Sequence, residues 1–370
     1  MRLALIQDQL LTPAGSERIF LYMCQEFPEA DIYTLAYNPE RTLPEFRRFN
    51  IRTSWMNGVV RNHDQFKTVF PIATHVMENW DLRGYDVILT SSASCAKYIR
   101  RHDATHICYC YFPTRAIWTF DSYTAPADRK LKHRVFQFLL PYFKRRDLAA
   151  AAGVDHFIGI SQASCDGIRQ FYGRDSDMIH SPIDFERFQT GQAIPKKDYF
   201  LIVSRLERWK SLDYAVQAFT QTGLPLRIVG IGEDEARLRG LAGPNIEFSG
   251  SLSDPDLLLA YGEARAVIFT PELEYGLVPL EAVAAGTPVI ALGKRGVLET
   301  MIDIDDPSAA GGRGTAVFFQ EQSSKDLILA LHRFEQAVFD RCKLAEHAAR
   351  FAIPEFRSKI RALVEKYAAQ

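Results

Sequence analysis

Residues 199–232 read YFLIVSRLERWKSLDYAVQAFTQTGLPLRIVGIG, and the fold class turns on this stretch. The apolar run Tyr199–Val203 reads as a buried strand, Ser211–Gln221 has a helical pattern, and Leu226–Val229 is a second apolar run. A strand, a helix and a strand within about 30 residues form a βαβ unit, which builds a parallel sheet. The rhythm continues downstream. Strands are expected at Ile246–Ser249, Ala266–Thr270, Pro288–Ala291 and Thr315–Phe318, with helices at Glu233–Leu241, Asp254–Tyr261, Val278–Ala285, Lys325–Val338 and Pro354–Ala368. Upstream, strands fit Leu3–Gln7, Asp31–Leu35, Asp86–Thr90, Thr105–Tyr109 and His156–Ile160. Helices fit Ser16–Phe27, Gln65–Trp80, Ser92–Arg101, Arg129–Ala151 and Ser161–Tyr172, the last capped by Ser161. Ser181–Asp184 and the aperiodic TGQAIPKKD at residues 190–198 read as a linker. The chain is thus expected to hold two α/β domains, residues 1–184 and 185–353, followed by a helix in 354–370.

Composition excludes several classes. The 370 residues are 47% hydrophobic and 24% charged, as in an ordinary globular protein. Forty-four Lys and Arg against 45 Asp and Glu leave a net charge of −1, so electrostatic capture of nucleic acid is not expected. There is no apolar run of about 18 residues that would span a bilayer. The start, MRLALIQDQLLTPAGSER, lacks a small-residue cleavage site and reads as a first strand rather than a signal peptide. Six cysteines do not make a disulfide framework. Cys108-x-Cys110 has no second pair to complete a zinc site, so reduced thiols and a cytoplasmic protein are expected.

Open parallel sheets bind ligands beyond the carboxyl ends of their strands, where helix N-termini suit phosphate. Four turns qualify. In the first, Thr12–Glu17, Gly15 allows close backbone approach and Ser16 can cap the helix. The second, Ser204–Ser211, carries Arg205 and Lys210, whose heads can converge on one diphosphate. Each also has a plain structural reading, a tight turn and a solvated basic loop. The third, Gly230-Ile231-Gly232-Glu233-Asp234-Glu235, lacks the third glycine of a dinucleotide fingerprint. In the fourth, Thr270–Gly286 (TPELEYGLVPLEAVAAG), a loop with Glu272, Glu274 and Gly276 leads into a helix. Glu281 is expected in its first turn, within reach of a ribose diol, and the amides from Gly276 to Val278 suit a phosphate.

SRLERWKSLDYAVQAF (204–219), LRIVGIGEDEARLRGLAGPNIEFSG (226–250) and EYGLVPLEAVAAGTPVIALGKRGVLET (274–300) resemble the nucleotide-sugar half of glycosyltransferase family 4. The resemblance reaches the first half through ALIQDQLLTPAGSERIF (4–20), GYDVILTSSASCAK (84–97), HICYCYFPTRAIW (106–118), HFIGISQASCDGIRQFYG (156–173) and SPIDFERF (181–188). It is nearest to bacterial mannosyltransferase-like enzymes of O-antigen and exopolysaccharide pathways. It implies a GT-B fold, two facing Rossmann-like domains with the active site in the cleft between them, and transfer with retention of configuration. The C-terminal helix would pack back on the first domain.

Residue by residue, the resemblance implies that Arg205 and Lys210 neutralise the leaving nucleoside diphosphate without a metal. Glu281 would bind the ribose, and the amides of Gly276, Leu277 and Val278 would hold phosphate or sugar oxygens. Ser251 and Leu252, after Gly250, would flank the base. Gly232 joins the donor-binding candidates, and Gly15 and Ser16 would face the diphosphate. There are two departures. Eight residues before Glu281, where the family's E-x7-E motif has its first Glu, stands Leu273, flanked by Glu272 and Glu274. Tyr111 replaces a His common in relatives, and a phenol does not titrate near neutral pH. Both changes fall at the donor sugar, which leaves an unusual sugar and a weak or absent activity as alternatives.

The donor would be GDP- or UDP-linked, with mannose from GDP-mannose preferred, and the acceptor a glycan or lipid-linked glycan. The other readings are a non-catalytic nucleotide-sugar-binding partner of another transferase, and a GT-B epimerase or phosphorylase. KLKHRVFQFLLPYFKRR (130–146) can form a cationic amphipathic helix that rests on the inner face of the plasma membrane, or a packed helix with a solvated basic face. Asp184 reads as a turn cap rather than a base, while His180 and Arg115 are weaker cleft candidates.

Overall fold

The structure, a computed structural model, describes residues 1–119 and 131–368. It divides into two compact units. One comprises Met1–Ser181 with Phe356–Gln370, the other Pro182–Glu355.

In the first unit β1 (Leu3–Gln7), β2 (Asp31–Thr34), β3 (Ile51–Thr53), β4 (Val87–Ser92), β5 (Thr105–Cys110), β6 (His156–Gly159) and β7 (Ser176–Met178) form one sheet. Its order is β3-β2-β1-β4-β5-β6-β7, and every pairing is parallel. Helices cover both faces, so all of Leu3–Gln7 and Val87–Ser92 is buried; each strand opens on an unbroken apolar run and ends in buried polar residues. The edge strands β3 and β7 are short and partly exposed, and hydrophobic pattern did not reveal them. The C-terminal helix Ile353–Ala368 joins this unit from Phe356 onward. Phe356 packs edge-on against Tyr109 at 5.8 Å, Arg361 pairs with Glu26, and Tyr367 stacks on His156.

Two upstream expectations need correction. Gln65–Trp80 is not one helix but two, His63–Thr68 and Phe70–Glu78, because Pro71 has no N–H to continue the ladder. Ser92–Arg101 holds only a short 3-10 turn, Ala96–Tyr98. The cause is remote in sequence. Asp8 accepts the amides of Ala93, Ser94, Cys95 and Ala96 at 2.6–2.9 Å, which bends the chain after β4.

In the second unit β8 (Phe200–Val203), β9 (Leu226–Val229), β10 (Ile246–Gly250), β11 (Val267–Phe269), β12 (Val289–Leu292) and β13 (Ala316–Phe319) make a parallel sheet of order β10-β9-β8-β11-β12-β13. This is the doubly wound Rossmann order, whose direction of winding reverses between β8 and β11. The expected linker is not an open tether. Residues 185–193 form the helix Phe185–Gln189 and a 3-10 turn, and Arg341 clamps them by donating to Gly191 O and Ile194 O, both at 2.9 Å. Asp184 caps that helix by accepting from the Arg187 amide at 3.2 Å. Among the described residues no helix is long and apolar enough to cross a membrane.

A buried ion pair holds the first unit. Lys97 Nζ lies 2.9 Å from Asp147 Oδ1, and both side chains are almost wholly enclosed. Tyr98, Trp118 and Tyr172 donate to the same carboxylate at 2.7–2.8 Å. Burial opposes its charge, yet Lys97 and these donors outweigh burial and hold Asp147 below the usual carboxylate range. Lys97→Met leaves a buried carboxylate unpaired, and a loss of about 3–5 kcal/mol in urea unfolding is expected. His106 is buried with Nε2 2.9 Å from Thr90 Oγ1, and burial pulls its pKa from 6.5 down to about 4. The native state therefore favours the neutral ring. Its contribution is complete above pH 6.5 and is lost as pH falls through that value toward 4. Unfolding free energy should drop with a one-proton slope across that window, and His106→Gln should flatten it.

Candidate functional site

At the winding reversal the loops after β8 and β11 lie side by side. The loop after β8 is shaped by its contact with the loop after β9. A Cβ on Gly230, whose φ is +137°, would sit 1.8 Å from Ser204 O, and one on Gly232 would sit 2.2 Å from Leu206 O. Without those atoms the loops zip together: Leu206 N donates to Ile231 O at 3.0 Å, and Asp234 N to Leu206 O at 2.9 Å. Gly232 thus has a packing role beneath the basic turn.

That turn ends in the 3-10 segment Arg208–Lys210, with Ser211 left-handed at φ +52°. Arg205 is exposed and donates to Glu207 at 2.9 Å. Trp209 Nε1 donates to the same carboxylate, and Lys210 Nζ sits 4.2 Å from the Trp209 ring centroid. Glu207 is the counter-charge that sequence reading overlooked, although it lies two residues from Arg205. Thr270 Oγ1 donates to Lys210 O at 2.9 Å, tying the basic turn to the end of β11.

Beyond Thr270, Gly276 is the N-cap of the helix Leu277–Ala284, and a Cβ there would approach the Phe269 ring to 2.8 Å. Leu277 and Val278 occupy the first turn, where N–H groups have no partner within the helix, and Pro279 has none to offer. Glu281 is in the second turn, not the first. The helix starts one residue earlier than the pattern suggested, and Tyr261 OH fixes the carboxylate at 2.7 Å. Burial and the neighbouring Glu281 push the Tyr261 phenol well above its ordinary pKa, so it remains a donor.

Arg295 also escaped the sequence reading. Its Nε is 2.5 Å from Glu272 Oε1 and its Nη1 3.8 Å from Glu274 Oε1, so one guanidinium braces both candidate carboxylates. It adopts φ +56°, uncommon for a side chain of this size. Gly296 N donates to Leu273 O at 3.0 Å, and Leu273 packs against the core of its unit. The one available signal was Lys294-Arg295-Gly296 at the carboxyl end of a strand. Gly250 is left-handed at φ +65°, exposed Ser251 follows, and Leu252 packs inward.

In the first unit the structure brings Tyr111 to Gly15 and Ser16. Its hydroxyl donates to Ser16 O at 3.1 Å and lies 3.0 Å from Ser91 Oγ, while its ring stands edge-on to Tyr109. Burial raises the phenol's pKa well above the ordinary value. Ser16 does not cap its helix, whose N-cap is Ala14. Its Oγ donates instead to Glu17 at 2.7 Å, as does Thr12 at 3.0 Å, and burial raises the Glu17 carboxyl's pKa. His180 Nδ1 meets Ile160 O at 3.1 Å, and Arg115 lies over Phe112. In the helix Leu131–Ala152, Phe138 and Tyr142 are exposed; Lys130 and the side chains of residues 131–135 lie outside the described residues. Among the described residues no cluster of three or more metal-ligating side chains occurs.

Residues 184–350 match the family model described as glycosyl transferases group 1. Glycogen synthase of Mycobacterium tuberculosis is 28% identical over 243 residues, 52% of this chain, which spans only 58% of that relative's length. Human alpha-1,3/1,6-mannosyltransferase ALG2 is 25% identical over 319 residues, 73% of each chain. The Escherichia coli O-antigen chain mannosyltransferase C is 31% identical over 103 residues, covering 25% of this chain and 27% of that one. Among solved structures, sucrose-phosphate synthase from Thermosynechococcus elongatus aligns over the whole of both chains with TM-score 0.73 and 16% identity. Anabaena Alr3699/HepE in complex with UDP-glucose aligns over 99% of this chain and all of that one, with TM-score 0.66 and 17% identity. This likeness shows the fold, two Rossmann-like domains of the GT-B class. The family match falls within the second unit.

Gly232→Ala should force the Leu206 carbonyl aside and displace Arg205 and Lys210. The expected result is a stability loss of about 1–3 kcal/mol by thermal unfolding.

Proposed function

We propose that the protein is a retaining glycosyltransferase that uses a nucleotide-sugar donor. The observation that carries this reading is the Thr270–Lys210 bond, which joins the Arg205–Lys210 turn to the loop leading into the Gly276 helix start at one switch point. Two cationic side chains on one turn and a helix N-terminus on the loop tied to it are the groups a diphosphate would need. Arg205 and Lys210 neutralise the charge that develops as the diphosphate leaves, in place of a metal ion, and the amides of Leu277 and Val278 hold its oxygens. Glu281, oriented by Tyr261, accepts from the ribose hydroxyls. Glu272 and Glu274, braced by Arg295, stand at the sugar end, and the acceptor hydroxyl attacks from the face on which the diphosphate departs. Gly15, Ser16 and Tyr111 are assigned to the donor by the family resemblance.

The two mannosyltransferases among the relatives favour mannose from GDP-mannose, whereas the Anabaena structure holding UDP-glucose keeps a UDP-linked sugar in play. The acceptor is a glycan or lipid-linked glycan of surface polysaccharide synthesis. The protein works on the cytoplasmic side and rests peripherally on the inner membrane face through residues 130–146, where Phe138 and Tyr142 are exposed. A second reading, nucleotide-sugar binding without transfer, is favoured by Leu273 at the motif's first position and by the pairing of both flanking carboxylates with Arg295.

Thermal shift against UDP, GDP and their sugars, followed by hydrolysis and transfer assays, separates the two. A rise in melting temperature is expected from at least one nucleotide, and none at all removes both readings. Binding without turnover selects the second. With an active donor, Arg205→Ala and Lys210→Ala should each lower turnover by about 100–1000-fold, by analogy with a lost oxyanion donor, and EDTA should leave transfer unchanged.

A further inference from the structure

The first unit carries a groove at the β3 edge of its sheet, lined by none of Gly15, Ser16 and Tyr111. It encloses about 500 Å³ between β2, β3 and the helix Phe70–Glu78, and its lining includes Tyr33, Arg52, Trp55, Ile72, Asn79 and Trp80. That volume falls within the ~300–1,000 Å³ of small-ligand sites. Trp55 is 67% exposed and Ile72 51%, so an indole and an aliphatic side chain stand in water at the groove. Their apolar surface is open to a ligand that enters the groove.

The floor is built rather than loose. Trp80 packs edge-on against Tyr33 with ring centroids 4.8 Å apart. Tyr33 OH meets Tyr85 OH at 2.8 Å, and Tyr85 donates in turn to Asp31 at 2.5 Å. Arg52 donates to Tyr33 OH at 3.0 Å and to Asp31 at 2.9 Å. The charges at the rim are already compensated within the chain. Arg52 is paired with Asp31, Asp81 makes a bidentate pair with Arg83 at 2.6–2.7 Å, and His75 lies 3.5 Å from Glu78. Such a rim offers no unbalanced charge to a phosphate or an anionic headgroup. It offers flat aromatic surface beside uncharged polar groups, since Thr53 and Asn79 are both exposed.

We propose that this groove binds a neutral oligosaccharide, stacking a pyranose ring on Trp55 while Thr53 and Asn79 hydrogen-bond its hydroxyls. One face of a pyranose carries mainly C–H groups and packs on an aromatic ring, while its edge carries hydroxyls that both donate and accept. The groove is open, so a longer glycan chain can continue past it. This site needs neither the nucleotide nor the transfer reaction, and it goes beyond the function proposed above.

The test is calorimetric titration of the full chain, without nucleotide, with α-linked mannotetraose, maltoheptaose and cellotetraose. Vesicles of phosphatidylcholine and phosphatidylglycerol form a parallel arm. At least one oligosaccharide should bind with a millimolar or tighter Kd. Trp55→Ala should weaken that binding by about tenfold or more, as for an aromatic anchor. Asn79→Ala should weaken it less, and neither variant should alter the thermal shift given by UDP or GDP. No binding by any of the three sugars up to about 10 mM, in the weak range of the affinity scale, overturns the proposal. So does binding that Trp55→Ala leaves intact, or vesicle binding lost in Trp55→Ala without any sugar binding. Failure of the donor reading shows instead as absence of any nucleotide shift, whatever the sugars do.

Discussion

The candidate site depends on a steric vacancy two loops deep. The Leu206 carbonyl lies where the Cβ of any larger residue at 232 would be, and the Ser204 carbonyl stands in the same relation to Gly230. Because those carbons are missing, the loops after β8 and β9 share main-chain hydrogen bonds and the turn from Arg205 to Lys210 has a fixed path. The Thr270 hydroxyl then fastens that path to the end of β11. The cations and the helix start at Gly276 are thereby held at one switch point of the sheet. Exposed Arg205 and half-buried Lys210 thus both start from a main chain that the neighbouring loops hold in place.

The first unit is ordered by a different device. Its sheet is apolar, but two carboxylates decide the connections around it. Asp8 gathers four amides after β4, and Asp147 gathers an ammonium, two phenols and an indole around Lys97. A buried polar group that is fully partnered rigidifies its surroundings, whereas a half-partnered one is costly. Tyr111 belongs to the same pattern. Whatever it does for a ligand, its hydroxyl links the end of β5 to the start of the helix after β1.

Much of this was legible in the chain. Alternating apolar runs and amphipathic stretches reflect sheets covered on both faces, so the long central strands stood out while β3 and β7, short and half-exposed at the edges, did not. The placing of Arg205, Lys210 and Gly276 in turns after strands was legible, and such turns are where a parallel sheet offers candidate ligand-binding groups. Glu207 and Arg295 were not. Their importance lies in partners, a cation and an indole for one and two carboxylates for the other, that only the folded loops bring near. The Trp55 groove was equally hidden, since exposure is a property of the packed unit rather than of the residue.

The sequence by itself determined the parallel α/β architecture, the division into two similar halves and the identity of the basic turn, because hydrophobic periodicity and local turn chemistry act over a few residues. Tertiary structure alone decided which charges are compensated. It showed that Gly232 serves packing beneath the turn, that Glu281 is held by Tyr261 in the second turn of its helix, and that residues 185–193 are clamped rather than loose. Electrostatic partners and steric vacancies join residues tens to hundreds of positions apart, and no local pattern records which of them will meet.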